Sequence, residues 1–306
     1  MGSARWDSSS RASYSAFTHS TIGKSTDDIY RKEGLHPSLD PLNIKVRESR
    51  DSAINPESTP IIVALDVTGS MGMLADTIAR QGLGTLFTQI LDRKPVTDPH
   101  LMFMAVGDAN FDRAPLQVSQ FEADAKIIEQ LTQIFLEHGG GGNSFESYNL
   151  PWYFAAFKTV HDAMEKRGKR GFLFTVGDEE APQSLTTHQI ERFIGDKTQR
   201  TIDVREQLEL CQRVYNVYHI VAEEGSHCRS HRNEVFRSWN NLLGQHVIPM
   251  SDHTRLAEII VSALEVAAGD DAVNVSGKWG DRRTSEVVHN AVKNLPRHGG
   301  PVAKRA

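Results

Sequence analysis

"PIIVALDVTGSMGM" (residues 60–73) is the stretch on which the fold turns. Residues 60–66 open it as a short, continuous apolar run, the pattern of a strand buried on both faces. The chemistry then changes. Asp66, Thr68 and Ser70 follow at alternate positions, with Gly69 between the last two. In an extended turn, residues two apart face the same way, so the hydroxyls of Thr68 and Ser70 point together. Gly69 lets the backbone bend between them without a side-chain clash. A helix N-cap requires one such oxygen, not three, so capping alone does not explain the pattern.

Similar apolar runs recur along the chain at 101–106, 116–121, 171–177, 215–222 and 246–250. "LQVSQF" (116–121) alternates instead, which predicts a half-exposed edge strand antiparallel to its neighbour. Helical spacing fills the gaps. "LADTIARQGLGTLFTQILD" carries Ile78, Leu86, Ile90 and Leu91 on one side. "DAKIIEQLTQIF", "WYFAAFKTVHDAMEK", "VREQLELCQRV" and "TRLAEIIVSALEVAA" repeat the pattern. Strands alternating with helices predict an α/β fold: a doubly wound, mostly parallel six-stranded sheet with one antiparallel edge strand. In such sheets the functional crevice lies beyond the carboxyl ends of the strands.

Two further loops fall at that edge. "HGGGGNSFES" (138–147) precedes the helix of residues 152–166 and offers Asn143, Ser144 and Glu146. "FTVGDEEAP" (174–182) ends the fourth strand in Asp178 and two glutamates. Hydroxyls, an amide carbonyl and carboxylates are hard oxygen donors, suited to Mg²⁺, Mn²⁺ or Ca²⁺ rather than zinc. "GDANFDRAP" (107–115) joins the second and third strands. Turn chemistry accounts for Asp108 and Asp112 there, with a secondary site role for Asp108 as the alternative.

"DVTGS" resembles the DxSxS motif of von Willebrand factor type A (VWA) domains, with Thr in the first hydroxyl position. The resemblance covers about residues 58–268 and implies a divergent, bacterial or phage-type member with a metal-ion-dependent adhesion site. Carried over, Thr68 and Ser70 would ligate the ion, with Asp66 and Asp178 behind them, largely through water. One position would stay open for an Asp or Glu of a protein partner. The family usually has "GGT" in its second loop, where this chain has Gly141 and Gly142 followed by Asn143 and Ser144. Asn143, Ser144 or Glu146 would take the place of that threonine. The family often ends its fourth strand "TDG", and here the aspartate is displaced by two residues, in "TVGDE". The resemblance implies a binding module rather than an enzyme, a component of a larger assembly such as one with an ATPase partner. Two alternatives stand beside it. One is a Mg²⁺-dependent phosphohydrolase with Asp66 as nucleophile, although Thr68 replaces the second carboxylate such enzymes use. The other is a scaffold subunit whose metal is structural.

The 306-residue chain has a net charge of −5, and residues 58–269 hold −8 of it. That balance suits a cation better than nucleic acid or an anionic membrane. Two cysteines, Cys211 and Cys228, argue for a reducing compartment rather than a disulfide framework. No apolar run approaches the roughly 20 residues needed to cross a bilayer. A cytoplasmic location is expected, or a virion-associated one if the protein is phage-encoded.

Residues 1–57, with eleven serines, read as an extended or disordered arm, and 269–306 as a largely disordered tail with a short helix near "SEVVHNAVKNL". Within the arm, "LNIKV" predicts an edge strand, and Glu48 and Asp51 suggest a segment that covers the metal edge. "STIGKST" (20–26) lacks the glycine and preceding strand of a phosphate-binding loop. His219, His227, Cys228 and His231 read as a polar strand end and loop, without paired-cysteine zinc spacing. Trp239 reads as a core anchor.

Overall fold

The computed structural model describes residues 7–21, 23–30, 34–71, 74, 83–136 and 144–297. Helices α1 (Ser8–Thr21) and α2 (Thr26–Ile29) precede strand β1 (Arg47–Ser49). Strand β2 (Thr59–Asp66) leads through α3 (Leu83–Arg93) to β3 (Pro99–Val106), which turns back into β4 (Leu116–Val118). Helices α4 (Lys126–Leu131) and α5 (Asn149–Lys158), strand β5 (Thr159–His161), helix α6 (Asp162–Arg167) and strand β6 (Gly171–Gly177) follow. Then come α7 (Thr187–Ile194), α8 (Val204–Gln212), β7 (Tyr215–Ala222), α9 (Ser226–Leu243), β8 (Val247–Met250), α10 (Leu256–Ala267), α11 (Ala272–Gly277) and α12 (Arg282–Val292).

The main sheet runs β4-β3-β2-β6-β7-β8, parallel throughout except for the β3–β4 pair. This is the doubly wound, mostly parallel sheet with one antiparallel edge expected from the sequence. Strand β2 lies at its centre and shows why. Ile61, Val63 and Leu65 enter a core shared with α3, α10 and α12, while Ile62 and Ala64 enter a second core shared with α5, α8 and α9. Burial on both faces is what a continuous apolar run requires. Each fully buried Ile, Leu or Val of this kind stabilises by roughly 1.5–3 kcal/mol. "LQVSQF" is strand only to Val118, and that strand is buried rather than half-exposed, because the Gln117 amide is held by the Phe135 backbone at 2.7 and 2.9 Å. At Ser119 the side chain replaces the carbonyl in the ladder: Oγ accepts the Phe103 N–H at 2.8 Å, while the Ser119 N–H still donates to the Phe103 carbonyl at 2.9 Å.

Other expectations are corrected. The predicted helix over 152–166 breaks at Thr159, whose Oγ1 donates to the Ala155 carbonyl at 2.7 Å. Thr159–His161 instead pairs in parallel with β1, and the His161 ring then caps α6 by accepting the Met164 N–H. "LNIKV" supplies no edge strand; it begins in a 3-10 turn, Pro41–Asn43. The arm, expected to be extended or disordered, carries helices α1 and α2 and strand β1 where it is described. Tyr14 of α1 is buried, and the Leu39 carbonyl accepts the Val118 N–H at 2.8 Å. The arm thus covers the outer edge of β4, an edge that would otherwise be open to pairing with another chain.

The expected tail is also helical over its described part. Helix α10 is buried over its whole length, so it needs cover on both sides. Val288, Ala291 and Val292 of α12 supply it. Glu265 of α10 is matched by Arg93 through two hydrogen bonds of 3.0 and 2.8 Å, and the Arg93 guanidinium lies 4.0 Å over the Trp279 ring. Helices α7 and α9 carry no counterpart in the sequence expectations; His227 and His231 lie in α9, not in a loop.

Glu48 and Asp51 do not reach the metal edge. Asp51 accepts hydrogen bonds from Arg167 at 2.6 and 3.1 Å and from the Ser58 backbone at 3.0 Å. Ser58 immediately precedes β2, so this contact sits at the amino end of the sheet, opposite the loops of interest.

Candidate metal centre

The carboxyl ends of β2, β3, β6 and β7 each run into a loop, and backbone hydrogen bonds tie these loops together. The Ser70 carbonyl accepts the Ser226 N–H at 3.1 Å, joining the first loop to α9. The Ser144 carbonyl accepts the Glu180 N–H at 3.2 Å, and Phe145 pairs with Glu180 as an isolated parallel bridge. Ser147 N–H reaches the Gly107 carbonyl at 3.1 Å, while Ser147 Oγ accepts the Ala109 N–H at 2.9 Å.

Within that frame Asp66 and Thr68 form one hydrogen-bonded pair and Ser70 and Asp178 a second, with the two hydroxyls side by side. Thr68 donates to Asp66 Oδ1 from its N–H at 2.9 Å and from Oγ1 at 2.6 Å. Ser70 Oγ donates to Asp178 Oδ1 at 2.7 Å and lies 3.3 Å from Thr68 Oγ1. Asp66 and Asp178 are fully buried, and Ser70 is half-buried. Each hydroxyl gives its proton inward to an aspartate, which leaves its lone pairs for a cation.

The second loop contributes in part. Ser144 is half-buried, and its backbone is fixed against the third loop. Asn143 lies outside the described residues, as do Gly141, Gly142 and Ile78. Glu146 is buried, and its Oε2 has no hydrogen-bond partner. Burial, then Asp66, Asp108, Asp112 and Glu179, push its carboxyl up to about 10. Asp108 is buried behind it, its Oδ1 accepting the Asn110 N–H at 2.8 Å.

Three residues outside the expected ligand set complete the site. Tyr148 OH donates to Asp66 Oδ2 at 2.7 Å, so both oxygens of Asp66 are engaged. Glu179 is buried, with Oε2 lying 3.1 Å from His227 Nδ1 but without the alignment of a hydrogen bond. The His227 N–H donates to Asp178 Oδ2 at 2.9 Å. The signal that could have revealed Tyr148 is Gly177. A Cβ there would fall 1.9 Å from the Tyr148 hydroxyl oxygen. Gly225 has a similar role, since a Cβ there would lie 2.3 Å from Asp178.

Electrostatically the site is overcharged. Burial and then Asp178 raise Asp66 to about 7; burial, then Asp178 and Asp66, raise Glu179 to about 8. Among the described residues no Lys or Arg pairs with Asp66, Glu146, Asp178 or Glu179. His227 offers no firm compensation, because burial and then His231, stacked on it at 4.6 Å, lower its pKa. The donor set fits a hard divalent cation: hydroxyls aimed by aspartates, carboxyl oxygens of Glu146 and Glu179 that lack a hydrogen bond, and a cluster of carboxyl groups with no Lys or Arg partner among the described residues. A separate acidic group, Glu224, Asp252 and His253, is internally satisfied. Glu224 accepts from His253 at 2.7 Å, and Asp252 caps Thr254 and meets Arg283.

No family model matches the chain, and no curated protein matches it in sequence. Solved structures align with it. The pilus adhesin SpaC from Lactobacillus rhamnosus GG is 9% identical with a TM-score of 0.43, covering 72% of this chain and 32% of the adhesin. Its open conformation gives 8% identity and a TM-score of 0.41, over 71% and 31%. A von Willebrand factor type A protein from Catenulispora acidiphila is 13% identical with a TM-score of 0.36, over 69% and 42%. The chain spans about a third of the length of the adhesin it matches. Among the described residues no helix is long and apolar enough to cross a membrane.

Proposed function

We propose that this chain is a protein-interaction module that holds a divalent cation, Mg²⁺ by its oxygen donors, at the carboxyl rim of its sheet. Thr68 and Ser70 would hold the ion, with Asp66 and Asp178 behind them and Ser144 or Glu146 contributing from the second loop. When bound, the ion supplies a positive charge with a position open to a carboxylate of a partner. This chain's own residues do the positioning: Tyr148 and Thr68 fix Asp66, and His227 N–H fixes Asp178.

The observation that carries this reading is a cluster of buried carboxyl groups without a cationic partner among the described residues. Four buried carboxylates share one rim with no Lys or Arg partner among the described residues, and one oxygen of Glu146 has no partner at all. The phosphohydrolase alternative gains no support from the same geometry. Asp66 is fully buried, whereas a nucleophile must be open to substrate. Assembly with a larger complex, including an ATPase, and a cytoplasmic site of action belong to the same proposal.

The test is calorimetric titration of Mg²⁺ into the EDTA-treated chain, followed by partner capture in Mg²⁺ and in EDTA. Saturable binding, lost in Asp66→Ala and Ser70→Ala while circular dichroism is unchanged, supports the reading. Capture that survives EDTA and both substitutions sinks it.

A further inference from the structure

Away from the ion's candidate ligands, a groove of about 220 Å³ opens between the arm, the start of β4 and α7. Leu35, Leu42, Pro115 and Phe193 make its apolar walls, and Arg113 and Arg192 line it as well. Asp40 also borders it, but its carboxylate caps the 3-10 turn of the arm, accepting the Leu42 N–H at 3.0 Å. The Arg192 guanidinium lies 4.8 Å over the Phe193 ring and has no carboxylate partner among the described residues. Arg113 lies over Phe135 at 5.8 Å. Two large apolar side chains stand exposed at this end of the molecule: Leu42 at 53% on the groove wall, and Phe111 at 58%, two residues before Arg113.

We infer that this groove binds a short, extended, acidic–apolar peptide segment of a partner protein. Charge complementarity selects that occupant. Residues 58–269 carry a net −8, which disfavours long polyanions, yet these two arginines share one apolar trough. A planar guanidinium stacked on an aromatic ring is held ready for a two-point contact with a carboxylate. Flanking apolar side chains of the peptide then cover Leu42 and Phe193. The 107–115 loop joins this groove to the metal rim: Asp108 and Asp112 face Glu146 at one end, and Arg113 to Pro115 line the groove at the other. The contact does not depend on the ion, because none of its residues is a candidate ligand.

The experiment is an anisotropy titration of the full chain into a short fluorescein-labelled peptide of repeating leucine, proline and glutamate. Binding should saturate, persist in EDTA, and weaken about tenfold in Arg192→Glu. The glutamine version of the peptide should weaken similarly. Arg192→Gln, a milder change at this exposed position, should fall between wild type and Arg192→Glu and serves if the reversal disturbs folding. Failure to saturate, equal binding by wild type and both variants, or loss of binding in EDTA each overturns the inference, the last by assigning the peptide to the metal rim. Sedimentation of the chain alone decides the other occupant. Self-association that Arg192→Glu abolishes would mean that a second copy fills the groove, and would overturn the partner-peptide assignment.

Discussion

At the amino end of β2, Asp51 meets Arg167, and the neighbouring Arg50 meets Asp162 at 2.9 Å. At the carboxyl end of the same strand, Asp66 meets a threonine and a tyrosine hydroxyl. Both ends gather carboxylates, yet their protonation goes opposite ways. Hydrogen bonds and ion pairs from Arg167 and Ser58 hold Asp51 well below its usual range, overcoming its burial, and Lys166 and Arg50 do the same for Asp162. Burial and mutual repulsion push Asp66, Glu146 and Glu179 up. One end carries its counter-charge in the chain. The other can only receive it from outside, and this asymmetry is the physical basis of the binding proposal.

The largest expected effect tests the self-contained end. Arg167→Ala should cost roughly 2–3 kcal/mol, less than a fully buried pair because both side chains keep some solvent contact. Urea denaturation should give the same loss in Mg²⁺ and in EDTA; a loss that depends on Mg²⁺ would break the contrast. The metal rim should behave in reverse. A cation at about 100 times its Kd stabilises by roughly 2.7 kcal/mol. Denaturation with and without Mg²⁺ should show this gain in wild type and no gain in Asp66→Asn.

The same contrast marks what the sequence made legible. "PIIVALD" announced a central strand because burial on both faces leaves a continuous apolar run. Asp66, Thr68, Ser70 and Asp178 were legible because their oxygen chemistry is written in the residues themselves. Tyr148 was not, since its role arises only when α5 packs beneath β6, and its trace is an absence: the missing side chain at Gly177. The arm was hidden by composition. Helix α1 is serine-rich, and what fastens this region is a few contacts such as Tyr14 and the Leu39 carbonyl. The C-terminal helices were partly foreseeable, because α10 is apolar at all but Glu258, Ser262 and Glu265 and something had to cover its far side.

A pH series sharpens the comparison further. Asp66, Glu179 and Glu146 have folded values of about 7, 8 and 10, above those of the unfolded chain. Groups raised in this way favour folding while protonated and lose that contribution as pH rises through the folded value. Buried histidines, lowered on folding, act in the opposite sense only near and below their unfolded value of about 6.5. Between pH 7 and 9 the metal-free protein should therefore lose on the order of 1 kcal/mol per pH unit. Mg²⁺ should flatten that slope, and Glu146→Gln should reduce it without Mg²⁺. A flat metal-free profile would mean the rim is already neutralised from within.

The smallest effect asks whether Asp66 carries charge only when the ion is present. Tyr148→Phe removes one donor and leaves the ring, which packs edge-on against Trp239 at 5.5 Å, in place. At pH 6 in EDTA Asp66 is mostly protonated, so the lost hydrogen bond joins neutral groups and should cost about 1 kcal/mol. In Mg²⁺ at pH 8 the carboxylate is ionised, and the same bond becomes charge-assisted, with a cost of about 2 kcal/mol. The difference between the two conditions is the quantity of interest, because a purely structural tyrosine would cost the same in both. Equal costs by urea denaturation would place Asp66 in one protonation state throughout and remove the link between the ion and this buried carboxylate.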